Sequence, residues 1–526
     1  MKSKRSELRI STLLVIFIFT LCTQSLAQWP RFHGNSLNTG AVLGAQGRSG
    51  NYTTMWTFPI SSYTNSSPAL ADIDEDGLLE VVIAANLEAL YALNGEDGSL
   101  LWSYSLVDTG NNGAPVINDL DGDLKSEIVF ATNDSLIVLE GETGTLIWSE
   151  PIEGGIGRSA STGDLDGDGT PEVIYAGSDS IRAYDGETGS VLWAVSGYWV
   201  SDYGSAVAED TDLDGSAEVL VCSADGEYFC LLDGTDGSLI WQTPIATSTW
   251  GPTPAPAFAD LDLDGYPEIV SCAGDDDLYV MNADDGSVKW SVQLPGYPHS
   301  SPCLLDLDGN DSLEIVVGVY FEKQLRAYTC TGDSIWTASV PNLPLGTPAV
   351  ADIDGDQALE IIQTSAYPAG AVQINDAATG ALEWLHGYGG YFVGSSPAIG
   401  DLDDDGFYDF VFGCHDGYIY AYNVTPQGIE QQSNLNPVNA TVAPNPFTSN
   451  ISITIELPEP GHVSITVFDL SGRCICSLEQ AELGSGNHVY VWDGTNHTGE
   501  TVSSGLYICR IQYGGMIETI DLCRLK

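Results

Sequence analysis

Positive charge is the scarcest commodity in this chain of 526 residues. Lys and Arg number 16 against 73 Asp and Glu, and the formal net charge is −57. No basic surface can be built from so few cations, which excludes nucleic acid as a partner. Beyond the N-terminal leader, no stretch approaches the roughly 18 apolar residues needed to cross a bilayer. The His-Glu-x-x-His zinc motif and the Gly-x-Ser-x-Gly nucleophile turn are both missing. Only His33, His299, His386 and His415 lie in or just before the repeated part of the chain. An isolated loop histidine is usually solvated or packed, so no catalytic residue is assigned.

The acid is patterned. A nine-residue loop recurs eight times, with carboxylates, once an Asn, at positions 1, 3, 5 and 9. The first copy carries Asp72, Asp74, Asp76 and Glu80; the second Asp119, Asp121, Asp123 and Glu127; the third Asp164, Asp166, Asp168 and Glu172. Next come Asp210, Asp212, Asp214 and Glu218, then Asp260, Asp262, Asp264 and Glu268. The sixth uses Asp306, Asp308, Asn310 and Glu314, the seventh Asp352, Asp354, Asp356 and Glu360, the eighth Asp401, Asp403, Asp405 and Asp409. The loops contain 34 of the 73 acidic residues. A solvated acidic surface explains the excess of charge but not its fixed spacing. Alternating carboxylates on a tight turn gather hard oxygens around one point, as calcium requires.

An EF-hand would need a Glu at position 12 and flanking helices. Position 12 is instead Ile83, Phe130, Tyr175, Val221, Ser271, Val317, Gln363 and Phe412, and β-rich segments follow each loop. The loop pattern resembles the FG-GAP/VCBS repeats of integrin α-type propellers, without the literal Phe-Gly. Calcium is what that resemblance implies for the 32 positions named above. Gly at position 6 eases the turn at Gly77, Gly169, Gly215, Gly265 and Gly406; Leu124, Asp311 and Gln357 replace it elsewhere. The second, sixth and seventh loops are therefore expected to bind more weakly, unless Gly122, Gly309 and Gly355 at position 4 permit another turn.

A second landmark follows each of the first seven loops. A turn ending in Gly leads four residues later to Trp, as in Gly98 to Trp102 and Gly144 to Trp148. Each unit then reads as four strands: a small-residue strand, an apolar one after the acidic loop, an aromatic one, and the Trp strand. Units of about 45–50 residues with four strands match propeller blades. The first Trp strand, Met55 to Phe58, precedes the first loop, and no Trp strand follows the eighth. The expected fold is all-β: an eight-bladed propeller whose N-terminal strand closes the last blade, then a small immunoglobulin-like sandwich. The Trp residues are assigned to packing between blades. Gly141-Glu-Thr-Gly144, Gly186-Glu-Thr-Gly189 and the opening Trp29 to Gly40 resemble PQQ-type quinoprotein repeats. A quinoprotein dehydrogenase would be expected to show an adjacent Cys pair, which is absent.

Four segments are delimited: a leader over 1–27, the calcium-binding propeller over 28–426, a linker over 427–440 and a C-terminal domain over 441–526. Lys2, Lys4, Arg5 and Arg9 precede the apolar run Leu13 to Leu21, with small residues at Ser25 and Ala27, as in a secretory signal. Export permits disulfides. Cys222 and Cys230 flank a short turn and could face each other; buried thiols are the other reading. The C-terminal segment carries Ala443-Pro-Asn-Pro-Phe447, Asp469-Leu-Ser-Gly-Arg473, Trp492-Asp-Gly494 and Ser504-Gly-Leu-Tyr507. These landmarks resemble the sorting domain of type IX secretion substrates and the flagellar hook-cap immunoglobulin-like module. That resemblance implies delivery by the type IX machinery to the medium or outer surface of a Gram-negative bacterium.

The connections from each Trp strand to the next unit hold Tyr198, Trp199, Tyr203, Trp250, Tyr297, His299, Tyr388, Tyr391 and Phe392. Such aromatics either bind a glycan or protein ligand or fill the mouth of the central channel. The sequence reading is a secreted or cell-surface, non-catalytic calcium propeller that binds glycan or protein. The alternative is a calcium-dependent polysaccharide lyase or another carbohydrate-active enzyme.

Overall fold

The computed structural model describes residues 50–86, 88–106, 113–152, 158–178, 180–197, 205–222, 228–245, 254–308, 310, 312–353, 358–426, 439–445, 447–457, 461–469, 474–495, 501–502, 505–513 and 516–524. Among them all regular structure is β-strand. Contacts divide the chain into two compact units, meeting between Thr425 and Pro426.

The first unit contains eight antiparallel sheets of four strands. The first sheet runs Ala69–Ala71, Glu80–Ala85, Ala89–Asn94 and Leu100–Ser105, paired in chain order. Its second strand is buried throughout, as the unbroken apolar run Val81 to Ala85 requires of a strand covered on both faces. The fourth strand hides Trp102, leaves Leu101 half-buried and exposes Ser103. Six further sheets repeat this order, the last of them ending in Leu382–Gly387. The eighth differs. It pairs Ala398–Gly400, Asp409–Cys414 and Tyr418–Pro426 with the N-terminal strand Gly50–Pro59 as its outer member.

Polar side chains link successive first strands. Ser66 Oγ donates to Gly113 O at 2.9 Å, the Ala114 amide to Ser159 Oγ at 2.8 Å, and the Ser301 amide to Thr347 Oγ1 at 3.3 Å. The Thr347 amide donates to Ser396 Oγ, and the Ser396 amide to Ser67 Oγ, returning to the first sheet. The small residues at these strand starts thus have a polar use besides their size.

The tryptophans join each sheet to the next. Trp56 Nε1 donates to Gly95 O at 2.6 Å, and Trp102 to Gly141 O at 2.7 Å. Trp148, Trp193, Trp241, Trp290 and Trp336 repeat the bond to Gly186, Gly234, Ala283, Cys330 and Ala377. Each indole also lies against the glycine of the neighbouring turn. A Cβ on Gly98 would sit 2.5 Å from the Trp56 ring, and one on Gly144 would sit 2.6 Å from Trp102. With φ near +69° and +65°, both positions need glycine for conformation as well as space. Trp384 instead packs against Tyr52 of the N-terminal strand and Tyr422, with centroids 5.3 and 5.6 Å away.

The register corrects one expectation from sequence. Cys222 lies opposite Phe229 and Cys230 opposite Val221, so the two thiols project from opposite faces of their sheet.

The second unit packs the sheet of Asn439–Ala443, Ile451–Leu457 and Gly486–Trp492 with that of Cys474–Leu483, Gly461–Asp469, Gly505–Tyr513 and Met516–Arg524. Its core includes Phe447, Ile453, Val467, Trp492 and Tyr507. The first strand begins at Asn439, two residues inside the segment assigned to the linker.

Candidate metal centres and the opposite face

Every acidic loop joins a first strand to a second, so all leave the sheets on one side; the connections between units leave on the other. Within the loop the backbone arranges the carboxylates. In the first copy the Gly77 amide donates to Asp72 Oδ2 at 3.1 Å, and the Asp76 amide to Asp74 Oδ1 at 3.2 Å. The amide of position 2 donates to the position 9 carboxylate in all eight loops. The distances are 2.9 Å for Ile73 to Glu80, 2.8 Å for Leu120 to Glu127 and 2.9 Å for Leu402 to Asp409. Leu165, Thr211, Leu261, Leu307 and Ile353 serve Glu172, Glu218, Glu268, Glu314 and Glu360.

Positions 1, 3 and 9 thereby converge. Asp72, Asp74 and Glu80 each present an oxygen within 4.8 Å of the others. The same holds for Asp119, Asp121 and Glu127, for Asp164, Asp166 and Glu172, for Asp210, Asp212 and Glu218, and for Asp260, Asp262 and Glu268. Position 5 stands outside these five clusters. One oxygen of Asp76, Asp123, Asp168, Asp214 and Asp264 accepts the amide two residues on, at 2.8–2.9 Å. Asn310 and Asp405 do the same with Ser312 and Phe407. In the sixth and eighth loops, position 1 accepts from the backbone, Asp306 from Asn310 and Asp401 from Gly406. Asp308 N donates to Asp306, and Asp403 accepts from Asn423 Nδ2 at 3.2 Å. Asp352 is buried, while Asp354 and Asp356 lie outside the described residues.

The clusters are electrostatically unsatisfied. Burial, reinforced by the aspartates of the same loop and only partly offset by the position 2 amide, pushes Glu80 and Asp409 up to about 8. The same causes push Glu127 and Glu172 up to about 7 and raise Glu218 and Glu314. Among the described residues, buried oxygens of Asp72, Asp403 and Asp409 accept no hydrogen bond. Buried carboxylate oxygens of this kind call for a cation. An all-oxygen donor set is the chemistry that suits calcium, which takes six to eight oxygens in flexible geometry.

Two left-handed residues shape each described turn. Position 6 has φ of +95° at Gly77, and Leu124 takes +75° at the same place. Position 4 is left-handed too, at Glu75, Gly122, Gly167, Leu213, Leu263 and Asp404. The second loop therefore makes the common turn with Leu124 strained, rather than a different turn through Gly122. The position 4 requirement went unnoticed in the sequence because a glycine fills it in only some copies. Gly309, Asp311, Gly355 and Gln357 lie outside the described residues.

On the opposite side the structure divides the aromatic candidates. Tyr297 and Tyr388 are buried, which corrects their assignment as exposed ligand contacts. The Tyr388 and Tyr422 hydroxyls are hydrogen-bonded at 2.7 Å. His299 packs between Tyr297 and Tyr320, and burial lowers its pKa. Tyr391 is exposed, and Phe392 lies between Tyr367 and His415 with centroids 5.9 and 5.3 Å away. Tyr198, Trp199, Tyr203 and Trp250 lie outside the described residues. Sequence reasoning missed Tyr63, Tyr320, Phe321 and Tyr367, and weighed His415 only as a catalyst. Tyr320, Phe321, Tyr367 and His415 follow the ends of second strands, beside rather than within the connections between sheets.

Comparison with known proteins matches residues 53–193, 90–262 and 177–401 to the family described as outer membrane protein assembly factor BamB. Residues 442–515 match the FlgD Ig-like domain. The basal-body rod modification protein FlgD of Salmonella typhimurium is 39% identical over 61 residues, 11% of this chain and 26% of that protein. The chain thus spans about a quarter of the length of this curated relative. Among solved structures, BamB from Moraxella catarrhalis superposes with a TM-score of 0.52 at 17% identity, covering 71% of this chain and all of that one. Quinohemoprotein alcohol dehydrogenase from Comamonas testosteroni gives 0.56 at 13% identity, covering 80% and 83%. At such identities the superpositions establish the propeller-like fold alone.

Proposed function

Since the chain belongs, through residues 53–401, to the family described as outer membrane protein assembly factor BamB, we propose that it is an extracytoplasmic binding scaffold without chemistry of its own. In this reading each of the eight sheets is one blade of a closed propeller. Calcium sits among the carboxylates at positions 1, 3 and 9, with the position 5 residue completing the loop. The opposite face engages a protein or glycan through exposed aromatics such as Tyr367 and Tyr391. The immunoglobulin-like unit directs passage through a type IX pathway to the cell surface or medium.

The observation that carries the metal reading is the convergence, in loop after loop, of a buried position 9 carboxylate with the aspartates of positions 1 and 3, with oxygens of Asp72, Asp403 and Asp409 left without a hydrogen bond among the described residues. A bound divalent ion supplies the missing counter-charge, and its binding free energy adds to folding stability. The chain's own contribution is the hydrogen bond from position 2, which aims the position 9 carboxylate, and the two left-handed residues that curl the loop. The ligand reading is supported by the exposure of Tyr367 and Tyr391 beside Phe392 and His415.

The test is binding of the full chain to a glycan array and to outer-membrane protein extracts, in calcium and in chelator, beside a Tyr367→Ala/Tyr391→Ala variant. A ligand retained by the native protein and lost by the variant, with unchanged melting, is expected. Appearance of unsaturated sugar products would replace the scaffold reading with a lyase.

A further inference from the structure

The fifth loop contains a cation of its own. Lys289 lies on the fourth strand of the fifth sheet, Val288–Gln293, one residue before Trp290. Its Nζ is 2.6 Å from Asp262 Oδ2 and 2.6 Å from Glu268 Oε1. These are positions 3 and 9 of the loop, two of the three carboxylates that converge there. The Glu268 side chain is 1% exposed, so the ammonium neutralises a buried carboxylate. The residue before Trp in the other sheets is Met55, Leu101, Ile147, Leu192, Ile240, Ile335 or Glu383. No other unit can place a lysine there. Lys125, at position 7 of the second loop itself, reaches Glu142 instead, at 3.2 Å.

We propose that Lys289 is the resident cation of the fifth loop, which therefore keeps its fold without metal while its sister loops depend on it. An ammonium donating to two carboxylates makes charge-assisted hydrogen bonds in the space that a metal would need. Calcium could enter only by displacing it and leaving a charged lysine beside a divalent ion. The sequence ranked the fifth loop among the strong ones because of Gly265; the residue that decides the matter lies on another strand, 21 positions beyond Glu268.

The inference rests on the metal reading of the other loops, and two variants of the full chain separate the two. Lys289→Met should bind one more calcium per chain than the native protein in native mass spectrometry at saturating calcium. It should also melt lower in chelator and recover in calcium. Ile240→Lys, at the matching place beside the fourth loop, should bind one fewer. Ile147→Met controls for the surface change and should do neither. Unchanged stoichiometry and unchanged melting in chelator for Lys289→Met would overturn the proposal. Absence of calcium from every variant, with Lys289→Met still less stable, would uphold the lysine's role and overturn the metal reading.

Discussion

Seven joins between neighbouring sheets and the join at Trp384 solve one packing problem by different means. In the seven, an indole donates to a carbonyl of the next sheet and its ring covers a left-handed glycine. At the eighth, no acidic-loop unit supplies a following glycine turn. Trp384, His386, Tyr388, Phe410, Phe412, Tyr420, Tyr422 and Tyr52 form an aromatic cluster instead, with Phe410 and Tyr422 stacked at 5.2 Å. A repeated contact needs both partners in every copy. Where the two ends of a repeated chain meet, one partner comes from outside the repeat, and apolar area replaces the specific pair.

Removing Gly50–Pro59 should have the largest effect, because it strips the outer strand from the last sheet and exposes both an edge and the aromatic cluster. Size-exclusion chromatography should show aggregate, whereas a chain ended after Thr425 should elute as a folded monomer. A monomeric, normally melting protein without the strand would show that the join is closed by something else. Gly144→Ala ranks next. Its Cβ meets the Trp102 ring and its backbone is left-handed, so a loss of about 3 kcal/mol in denaturant unfolding is expected. Tyr388→Phe tests the join at Trp384, where only one hydroxyl pair is lost: about 1 kcal/mol. A cost equal to that of Gly144→Ala would mean that this join too depends on a specific bond. The smallest change is a gain. Leu124→Gly relieves a left-handed leucine that is 70% exposed, and about 0.5 kcal/mol of added stability should appear in the same assay.

Most of what repeats was legible in the sequence, and most of what occurs once was not. The loop spacing grouped positions 1, 3, 5 and 9 because one turn geometry serves all copies; positions 1, 3 and 9 converge in the five clusters, and position 5 stands outside them. The tryptophans could be assigned to inter-sheet packing because each follows its glycine turn at a fixed distance. The N-terminal strand's place followed from a missing Trp strand after Tyr422. Left-handed backbone at position 4 was hidden, since Glu75, Leu213 and Leu263 accept strain that a glycine would advertise. Lys289 was hidden because its partners are brought to it by strand pairing, with nothing local to mark the contact. Tyr297 and Tyr388 were misjudged for a related reason: their connections fold back onto second-strand ends, as the bridge from Pro298 to Val319 shows. Burial in a connection has no periodicity to reveal it.

Thermal unfolding of the full chain at pH 5 and pH 8, in calcium and in chelator, tests the metal account most directly. Without metal, the native state retains protons on Glu80, Asp409, Glu127 and Glu172 up to about 7–8, where the unfolded chain has already released them. Stability in chelator should therefore fall as pH rises through that window. Calcium competes with those protons, so its stabilisation should be largest at pH 8, about 2.7 kcal/mol for each site at a hundredfold excess over Kd. Coincident melting curves with and without calcium at both pH values would contradict the account.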